Sequence, residues 1–451
     1  MKASVYIETF GCQMNVADTE RAATRLSEAG YSLTRTAAEA DVVLFNTCSV
    51  RAKAAQKVFA RMDEVRRMRR GGREPLLGLM GCVGQLEGAA LFDHAPALGL
   101  VAGTRATDRL PSLIARALSG ENRTLDIGEH VEGDGWNVST VERHSPYVAF
   151  VPIIEGCNKF CSYCIVPFSR GRERSRPASE IVAEVCRLRA EGYSEVQLIG
   201  QNVNSYRPKG EDGLEGFSGA TPFSKLLRAV AATGMERIKF TTSFPRDFHQ
   251  DIVAAIDEQE NLCDWIHLPV QSGNDRVLRA MRRGYKVSDY LRRVDAIRAG
   301  RRRLALTSDI IVGFPGETAE EFEDTMRLVE RCQYDGLYIF KYSERPGTPA
   351  AMLADDISEE EKTARFLALE RLQREQQSRI YQGYVGREVS VLVEGESARS
   401  AMDMTGHSTC QKVLNFPGSE ALKGRIVRLL VKEAKTNSLY GEMAREQSPM
   451  S

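Results

Sequence analysis

No stretch of this 451-residue chain stays apolar for anything near the roughly 20 residues that a membrane-spanning helix requires. Nor is one sign of charge in excess. The 61 basic side chains are matched by 61 acidic ones, which excludes a global polyanion-binding signature. The opening residues Met1-Lys2-Ala3-Ser4-Val5-Tyr6 run straight into a strand pattern and lack the apolar core of a secretory signal. Ten cysteines without such a signal argue against a disulfide framework and for reduced thiols and metal chemistry in the cytoplasm, with no membrane involved. With 42% hydrophobic and 27% charged residues the composition is that of a soluble globular protein, and the length suggests about three domains.

One further thing is missing. Cys157, Cys161 and Cys164 lie within eight residues in a C-x3-C-x2-C spacing, yet no fourth Cys or His stands nearby. The β-branched run Val148–Ile154 ends at Gly156, so it predicts a buried strand feeding a loop that carries all three thiols. Thiolates bind zinc or iron–sulfur clusters, and both usually take four ligands. Three cysteines on a 4Fe–4S cluster would leave one iron open for an exogenous ligand. A structural zinc loop and three unrelated buried thiols are the alternatives.

The N-terminal third repeats the theme. Val5-Tyr6-Ile7 leads to Gly11-Cys12, Val42–Phe45 to Thr47-Cys48, and Pro75–Met80 to Gly81-Cys82. Helical patterns at Ala17–Ala29 and Val50–Arg70, with a weaker strand at Tyr31–Arg35, predict a parallel α/β sheet. Ligands of such sheets sit beyond the carboxyl ends of the strands, where all three cysteines fall. One buried thiol there would be ordinary packing. Three at equivalent positions predict a second cluster with three protein ligands.

Thr9-Phe10-Gly11-Cys12-Gln13-Met14-Asn15, Asn46-Thr47-Cys48-Ser49-Val50-Arg51 and Gly81-Cys82 resemble the N-terminal domain of methylthiotransferases. Gly156–Cys164, with Tyr163 at the aromatic position and continuing through Ile165–Gly171, resembles the cluster loop of radical S-adenosylmethionine (SAM) enzymes. The Phe-Gly-Cys-Gln-Met-Asn form is similar to the MiaB branch of the family. Its sister branches modify a ribosomal protein, or threonylcarbamoyl-adenosine in tRNA.

The middle of the chain alternates strand and helix patterns, with strands at Val148–Ile154, Glu195–Ile199, Arg237–Thr241, Trp265–Leu268, Leu304–Val312 and Leu337–Lys341. Six β/α units fall two short of a closed eight-stranded barrel. The partial barrel agrees with the resemblance, which places SAM against Tyr163, Gly200, Gln201, Asn202, Gln271 and Gly313. Asp309–Glu317 departs from the superfamily form: Asp309 replaces a glycine and the acidic residue comes one position late. Turns at barrel tops are the alternative for such Gly/Pro-rich strings. Cys186, Cys263, Cys332 and Cys410 match no ligand spacing and are expected to pack.

After a charged helix at Glu359–Tyr381, short strands at Val389–Val393, Gln411–Asn415, Arg425–Leu430 and Ser438–Met443 predict a small OB-like barrel that resembles the TRAM domain. The expected units are 1–125, 143–380 and 381–446, an α/β methylthiotransferase domain, a partial (β/α)6 radical SAM barrel and an all-β TRAM barrel. Basic runs at 276–303 and 61–73, the segment Arg170–Arg176, and Lys412, Lys423, Arg425, Arg428, Lys432 and Lys435 are candidates for phosphate contacts. A solvated helix face is the plain alternative for each run.

The resemblance implies two 4Fe–4S clusters, on Cys12, Cys48 and Cys82 and on Cys157, Cys161 and Cys164, with SAM as methyl and radical source. The implied reaction is methylthiolation of C2 on N6-isopentenyladenosine beside the anticodon of tRNA, in a monomer reduced by flavodoxin or ferredoxin. No catalytic side chain beyond cluster-bound SAM is implied, because an aromatic C2–H offers nothing to a side-chain base. The alternatives are a ribosomal-protein aspartate or threonylcarbamoyl-adenosine as substrate and, outside catalysis, an iron–sulfur RNA-binding sensor.

Overall fold

The computed structural model describes residues 2–49, 52–68, 74–129, 136, 143–398 and 400–444. Its N-terminal part runs β1 (Ser4–Phe10), α1 (Gln13–Glu28), β2 (Ser32–Leu33), β3 (Val42–Thr47), α2 (Ala52–Met68) and β4 (Leu76–Gly81). It continues through α3 (Cys82–Glu87), α4 (Leu91–His94), β5 (Leu98–Ala102), α5 (Leu110–Leu118) and β6 (Thr124–Asp126). The six strands form one parallel sheet in the order β2-β1-β3-β4-β5-β6. Every residue of β3 is buried, as a central strand covered on both faces must be. Val43 and Phe45 pack with Val58, Met62 and Val65 of α2, while Val42 and Leu44 pack with Ala22 and Leu26 of α1, the period-two split of a pleated strand. The chain leaves β1 first to one side and then to the other, so the switch point lies between β1 and β3. Strands β5 and β6 were not expected from the sequence. The ends of the predicted helix Val50–Arg70 (50–51 and 69–70) lie outside the described residues.

The central part opens with β7 (Val148–Pro152) and a small antiparallel pair, β8 (Ile154–Glu155) with β9 (Arg174–Ser175), which closes off the cysteine loop and α6 (Val166–Arg170). There follow α7 (Ala178–Ala190), β10 (Glu195–Ile199), α8 (Pro222–Ala231), β11 (Arg237–Phe240), α9 (Asp251–Glu258) and β12 (Trp265–His267). The rest is α10 (Asp275–Ala280), α11 (Val287–Arg298), β13 (Ala305–Val312), α12 (Ala319–Cys332), β14 (Gly336–Lys341) and α13 (Glu359–Gln382). The barrel is two parallel three-stranded ladders, β7-β10-β11 and β12-β13-β14. A bridge from Ile238 to Leu262 and a bond from Ser243 N–H to His267 O (3.2 Å) join them. Strands β7 and β14 end the arc and leave it open on one side. Val196 and Leu198 belong to the core beneath the helices, so Gln197 and Ile199, one residue out of phase, face the lumen.

The last part is a closed barrel of β15 (Glu388–Ser397), β16 (Ser400–Ser408), β17 (Val413–Pro417), β18 (Ile426–Ala434) and β19 (Leu439–Met443), in the order β15-β16-β17-β19-β18. Strand β16 was not expected from the sequence, since it has only one β-branched residue and carries Gly406, a weak strand signal. Trp265 and Ala305 share the core of this small barrel. Arg237 donates to the carbonyls of His407 and Ser408 (both 2.8 Å), Thr409 bonds Asp264 (2.6 Å), and Lys412 pairs with Asp335 (2.7 Å). These partners all lie at or just before strand starts, so the small barrel seals the end of the large one opposite the cysteine loop. Cys263, Cys332 and Cys410 are buried as expected. Cys186 is exposed, a correction: α7 buries Ile181, Glu184, Val185 and Leu188, and position 186 falls on its other side.

Candidate active site

Phe10, Thr47 and Gly81 end three neighbouring strands in mutual register, Phe10 opposite Thr47 and Thr47 opposite Gly81. Cys12, Cys48 and Cys82 follow within two residues, so strand spacing of about 4.8 Å gathers the thiols over one sheet edge. Cys12 is the N-cap of α1, and the backbone N–H of Cys48 bonds the carbonyl of Phe10 (3.0 Å). Two buried asparagines stitch the edge together. Asn15 accepts from Cys12 N–H (3.2 Å) and donates to Asn46 Oδ1 (3.0 Å) and Thr47 O (3.2 Å); Asn46 donates to Asn15 O (2.8 Å) and Thr19 Oγ1 (3.0 Å). Gly81, at φ +93°, lets β4 approach: a Cβ there would strike Asn46 Oδ1 and lie 2.8 Å from Thr47 O. The Cys12 thiol is drawn down to about 5 by its hydrogen bond with Cys48, against the effect of burial and with help from the charge of Arg170.

The second triad sits on a loop docked by its backbone. Cys157 N–H bonds Gly171 O (3.0 Å), Ser162 N–H bonds Met281 O (3.0 Å), and Ser162 Oγ bonds Ala280 O (2.8 Å). Gly156, at φ +80°, lies so close to the Arg172 carbonyl that a Cβ would collide with it. Burial pushes the Cys164 thiol up to about 12 and raises that of Cys157 as well. Among the described residues no three His, Cys, Asp or Glu side chains gather closely enough to share one metal ion. Three cysteine thiolates suit a 4Fe–4S cluster, whose ligands each hold a different iron.

The residues expected to meet SAM surround this loop. Tyr163 Oη lies 3.4 Å from Arg283 Nη1. Gly200 ends β10 where a Cβ would lie 2.7 Å from Ile154 O. Gln201 accepts from Gly156 N–H (2.6 Å), and Asn202 donates to Cys157 Sγ (3.1 Å), so both side chains also support the loop. Gln271, at φ +78°, bridges to β13 through Asp309 O (2.9 Å) and Ile311 N–H (3.0 Å). Gly313 N–H bonds Glu317 (2.7 Å), whose carboxylate also holds Arg365 (2.8 Å); the late acidic residue thus closes its own turn. The stem of Lys362 lies over Gly313.

The elements that carry the two triads are packed against each other. Met14 and Ala17 of α1 pack on Phe150 and Ile199, and Gln13 bonds Gln197 (3.1 Å), so the helix that Cys12 caps leans on the lumen face of β7 and β10. Arg170, in the helix two residues beyond Cys164, pairs with Asp18 of α1 (2.6 Å), and its charge reaches both Cys12 and Cys82. Sequence reasoning took Arg170 for a phosphate contact. It is buried in this seam, as Arg176 is against Glu184. Several arginines of the 276–303 run have intramolecular partners although most of its basic side chains are exposed: Arg276 bonds Glu321, Arg298 bonds Leu304 O (2.9 Å), and Arg302 bonds Asp264 (2.7 Å). Lys412 is buried against Asp335. Arg279, Arg282, Lys286, Lys423 and Arg425 are exposed, as are Arg428, Lys432 and Lys435, which stand beside surface carboxylates. Sequence reasoning gave no role to Asn15 or Asn46 and took Arg283, with the rest of its run, for a phosphate contact. The first two stand in the cysteine motifs, where a buried amide beside each ligand was the available signal; Arg283 sits in a run of look-alike arginines and had none.

Three family models match in order: "Uncharacterized protein family UPF0004" over residues 4–103, "Radical SAM superfamily" over 151–329 and "TRAM domain" over 382–444. A curated relative from Solibacter usitatus, named tRNA-2-methylthio-N(6)-dimethylallyladenosine synthase, is 45% identical over 445 residues, 97% of each chain. One of the same name from Koribacter versatilis is 42% identical over 443 residues, again 97% of each. Among solved structures, the radical SAM methyltransferase TsrM from Kitasatospora setae, with cobalamin and a [4Fe-4S] cluster bound, superposes with a TM-score of 0.57 at 14% identity, covering 78% of this chain and 77% of that one, a likeness of fold. Full-length identity of this order, with the same three units in the same order, means that this chain belongs to the tRNA-2-methylthio-N6-dimethylallyladenosine synthase family of radical SAM methylthiotransferases.

Proposed function

We propose that Cys12, Cys48 and Cys82 hold one 4Fe–4S cluster and Cys157, Cys161 and Cys164 the other, with SAM at the barrel mouth among Tyr163, Gly200, Gln201, Asn202, Gln271 and Gly313. The chain is a radical SAM tRNA methylthiotransferase that adds a methylthio group to C2 of N6-isopentenyladenosine next to the anticodon, with SAM as methyl and radical source. The observation that carries the reading is the docking of the Cys12-capped helix on the lumen face of β7 and β10, which sets the sheet edge carrying one triad against the barrel carrying the other. The clusters and SAM supply the one-electron and sulfur chemistry that an unactivated C2–H demands. The protein's own residues position and insulate. Asn15 and Asn46 fix the thiols of the sheet edge, Gln201 and Asn202 the loop, and Met14, Phe150 and Ile199 keep water from the wall between them.

The open side of the barrel is edged by β14, whose Tyr338 and Phe340 are 55% and 49% exposed and offer aromatic faces to an unstacked base. Exposed Arg279, Arg282, Lys286, Lys423 and Arg425, which hold no surface carboxylate among the described residues, are the first candidates for phosphates, with Arg428, Lys432 and Lys435 beside them. We place the unit limits at 1–125, 143–380 and 381–446; β6 runs one residue past the first unit and α13 two residues past the second. No described helix is long and apolar enough to cross a membrane. We propose a cytoplasmic monomer with an electron donor such as flavodoxin or ferredoxin.

Mass spectrometry of nucleosides from a strain lacking this gene tests the assignment. Loss of 2-methylthio-isopentenyladenosine with accumulation of its unthiolated precursor is expected. Unchanged tRNA nucleosides beside an unthiolated ribosomal-protein aspartate would overturn it in favour of the ribosomal branch. No chemical change in either would leave the iron–sulfur RNA sensor.

A further inference from the structure

Nine arginines are buried among the described residues, and eight of them pair with a carboxylate. The ninth is Arg283. It is 5% exposed, and among the described residues no Asp or Glu bonds it. Its Nε donates to Tyr285 Oη (3.0 Å) and its Nη2 to Pro269 O (2.8 Å). Its Nη1 lies 3.3 Å from Cys161 Sγ and 3.4 Å from Tyr163 Oη. The guanidinium carbon stands 4.4 Å from the centre of the Phe244 ring. A buried cation without a counter-charge is costly, and neutral oxygens and a ring face offset only part of that cost. The one neighbour that becomes anionic on ligation is the sulfur of Cys161.

We propose that Arg283 is the built-in counter-charge of the radical cluster, a positioning residue that holds Cys161 in place and raises the cluster's reduction potential. The inference rests on the reading that Cys157, Cys161 and Cys164 hold that cluster. Adding an electron to an anionic cluster increases its negative charge, and a fixed positive donor on a ligand sulfur stabilises the reduced form; hydrogen bonds to the sulfurs and net charge are the levers that set such potentials. The two ligands with side-chain donors differ in kind: Cys157 receives the neutral amide of Asn202 (3.1 Å) and Cys161 the cation. The geometry also ties the ligand to the SAM side of the barrel. Arg283 grips Pro269 O and Tyr285 bonds Val270 O (2.8 Å), the residues leading directly to Gln271.

The test is an EPR-monitored redox titration of full-length, anaerobically reconstituted wild type, Arg283→Met and Arg283→Lys. The signal that changes on addition of SAM identifies the radical cluster. Arg283→Met is expected to disfavour reduction of that cluster at least tenfold, a fall of about 59 mV for a one-electron couple. Arg283→Lys should recover part of the shift, and the other cluster should keep its potential in both variants. An unchanged radical-cluster potential in a fully loaded Arg283→Met protein would overturn the proposal, as would an equal shift of both clusters. Folded variants that both lack iron at the loop would also overturn it, by reducing Arg283 to a part of the loop's fold. A wild type whose Cys157 loop takes up no cluster at all would refute the parent reading instead, and iron and sulfide analysis separates that case.

Discussion

Two sets of three cysteines solve one ligation problem in opposite ways. Cys12, Cys48 and Cys82 come from three strand ends spread over 71 residues of chain, and only a folded sheet with its strands in register brings them together. Cys157, Cys161 and Cys164 come from one short loop, pinned by backbone bonds to the Ala280–Met281 segment. The first set is stitched by neutral amides, sits near the charge of Arg170 and has a thiol drawn down to about 5. In the second, burial pushes the Cys164 thiol up to about 12, and Cys161 has its own cation in Arg283. Ligands gathered from distant strands depend on domain stability; ligands gathered on a loop depend on what the loop is docked against.

The strongest way to break the comparison is to remove one triad at a time. Cys12→Ala, Cys48→Ala and Cys82→Ala together should lower iron from about eight to about four per chain. That variant should still cleave SAM to 5′-deoxyadenosine yet form no methylthio product. Loss of SAM cleavage with the loop cluster intact would show that the triads do not work separately. Alanines at Cys157, Cys161 and Cys164 should abolish both reactions. Next in size is the seam. Arg170→Met leaves Asp18 buried without its cation, which should cost about 3–5 kcal/mol in chemical denaturation. Adding Asp18→Asn should recover much of that loss, and an additive double variant would refute the pairing. Asn15→Ala removes one stitch from the sheet edge at about 1–3 kcal/mol. Its expected signature is loss of iron at Cys12, Cys48 and Cys82 while the SAM-responsive EPR signal persists. The smallest effects belong to the surface. Lys423→Ala with Arg425→Ala should weaken tRNA binding and flatten its salt dependence by about one logarithmic unit per lost phosphate contact. Arg276→Ala, whose charge is held by Glu321, should leave the salt slope unchanged.

Much of this was legible from sequence because cysteine carries its chemistry in its identity and spacing. The C-x3-C-x2-C loop, the strand-end cysteines and the β/α alternation each depend on local pattern, and they stand where the pattern put them. What escaped depends on partners remote in sequence. Arg170 and Arg283 look like any surface arginine until Asp18, some 150 residues away, or Cys161, some 120 away, is brought beside them. The arginine run 276–303 reads as a polyanion site, yet backbone carbonyls and carboxylates take up much of it. Strand β16 was missed because its hydrogen bonds to β15 and β17, more than its own residue preferences, make it a strand.

The contact of Lys412 with Asp335 has a consequence for how the chain is made. Asp335 lies in the large barrel, just ahead of its last strand, but its ammonium partner is 77 residues downstream. On a growing polypeptide the large barrel is therefore complete in topology before it is complete in charge. Arg237, too, must wait for the carbonyls of His407 and Ser408. A release product truncated before the small barrel would carry Trp265 uncovered and Asp335 without its ammonium. Only a chain translated to its last strands closes the end of the barrel behind its chemistry.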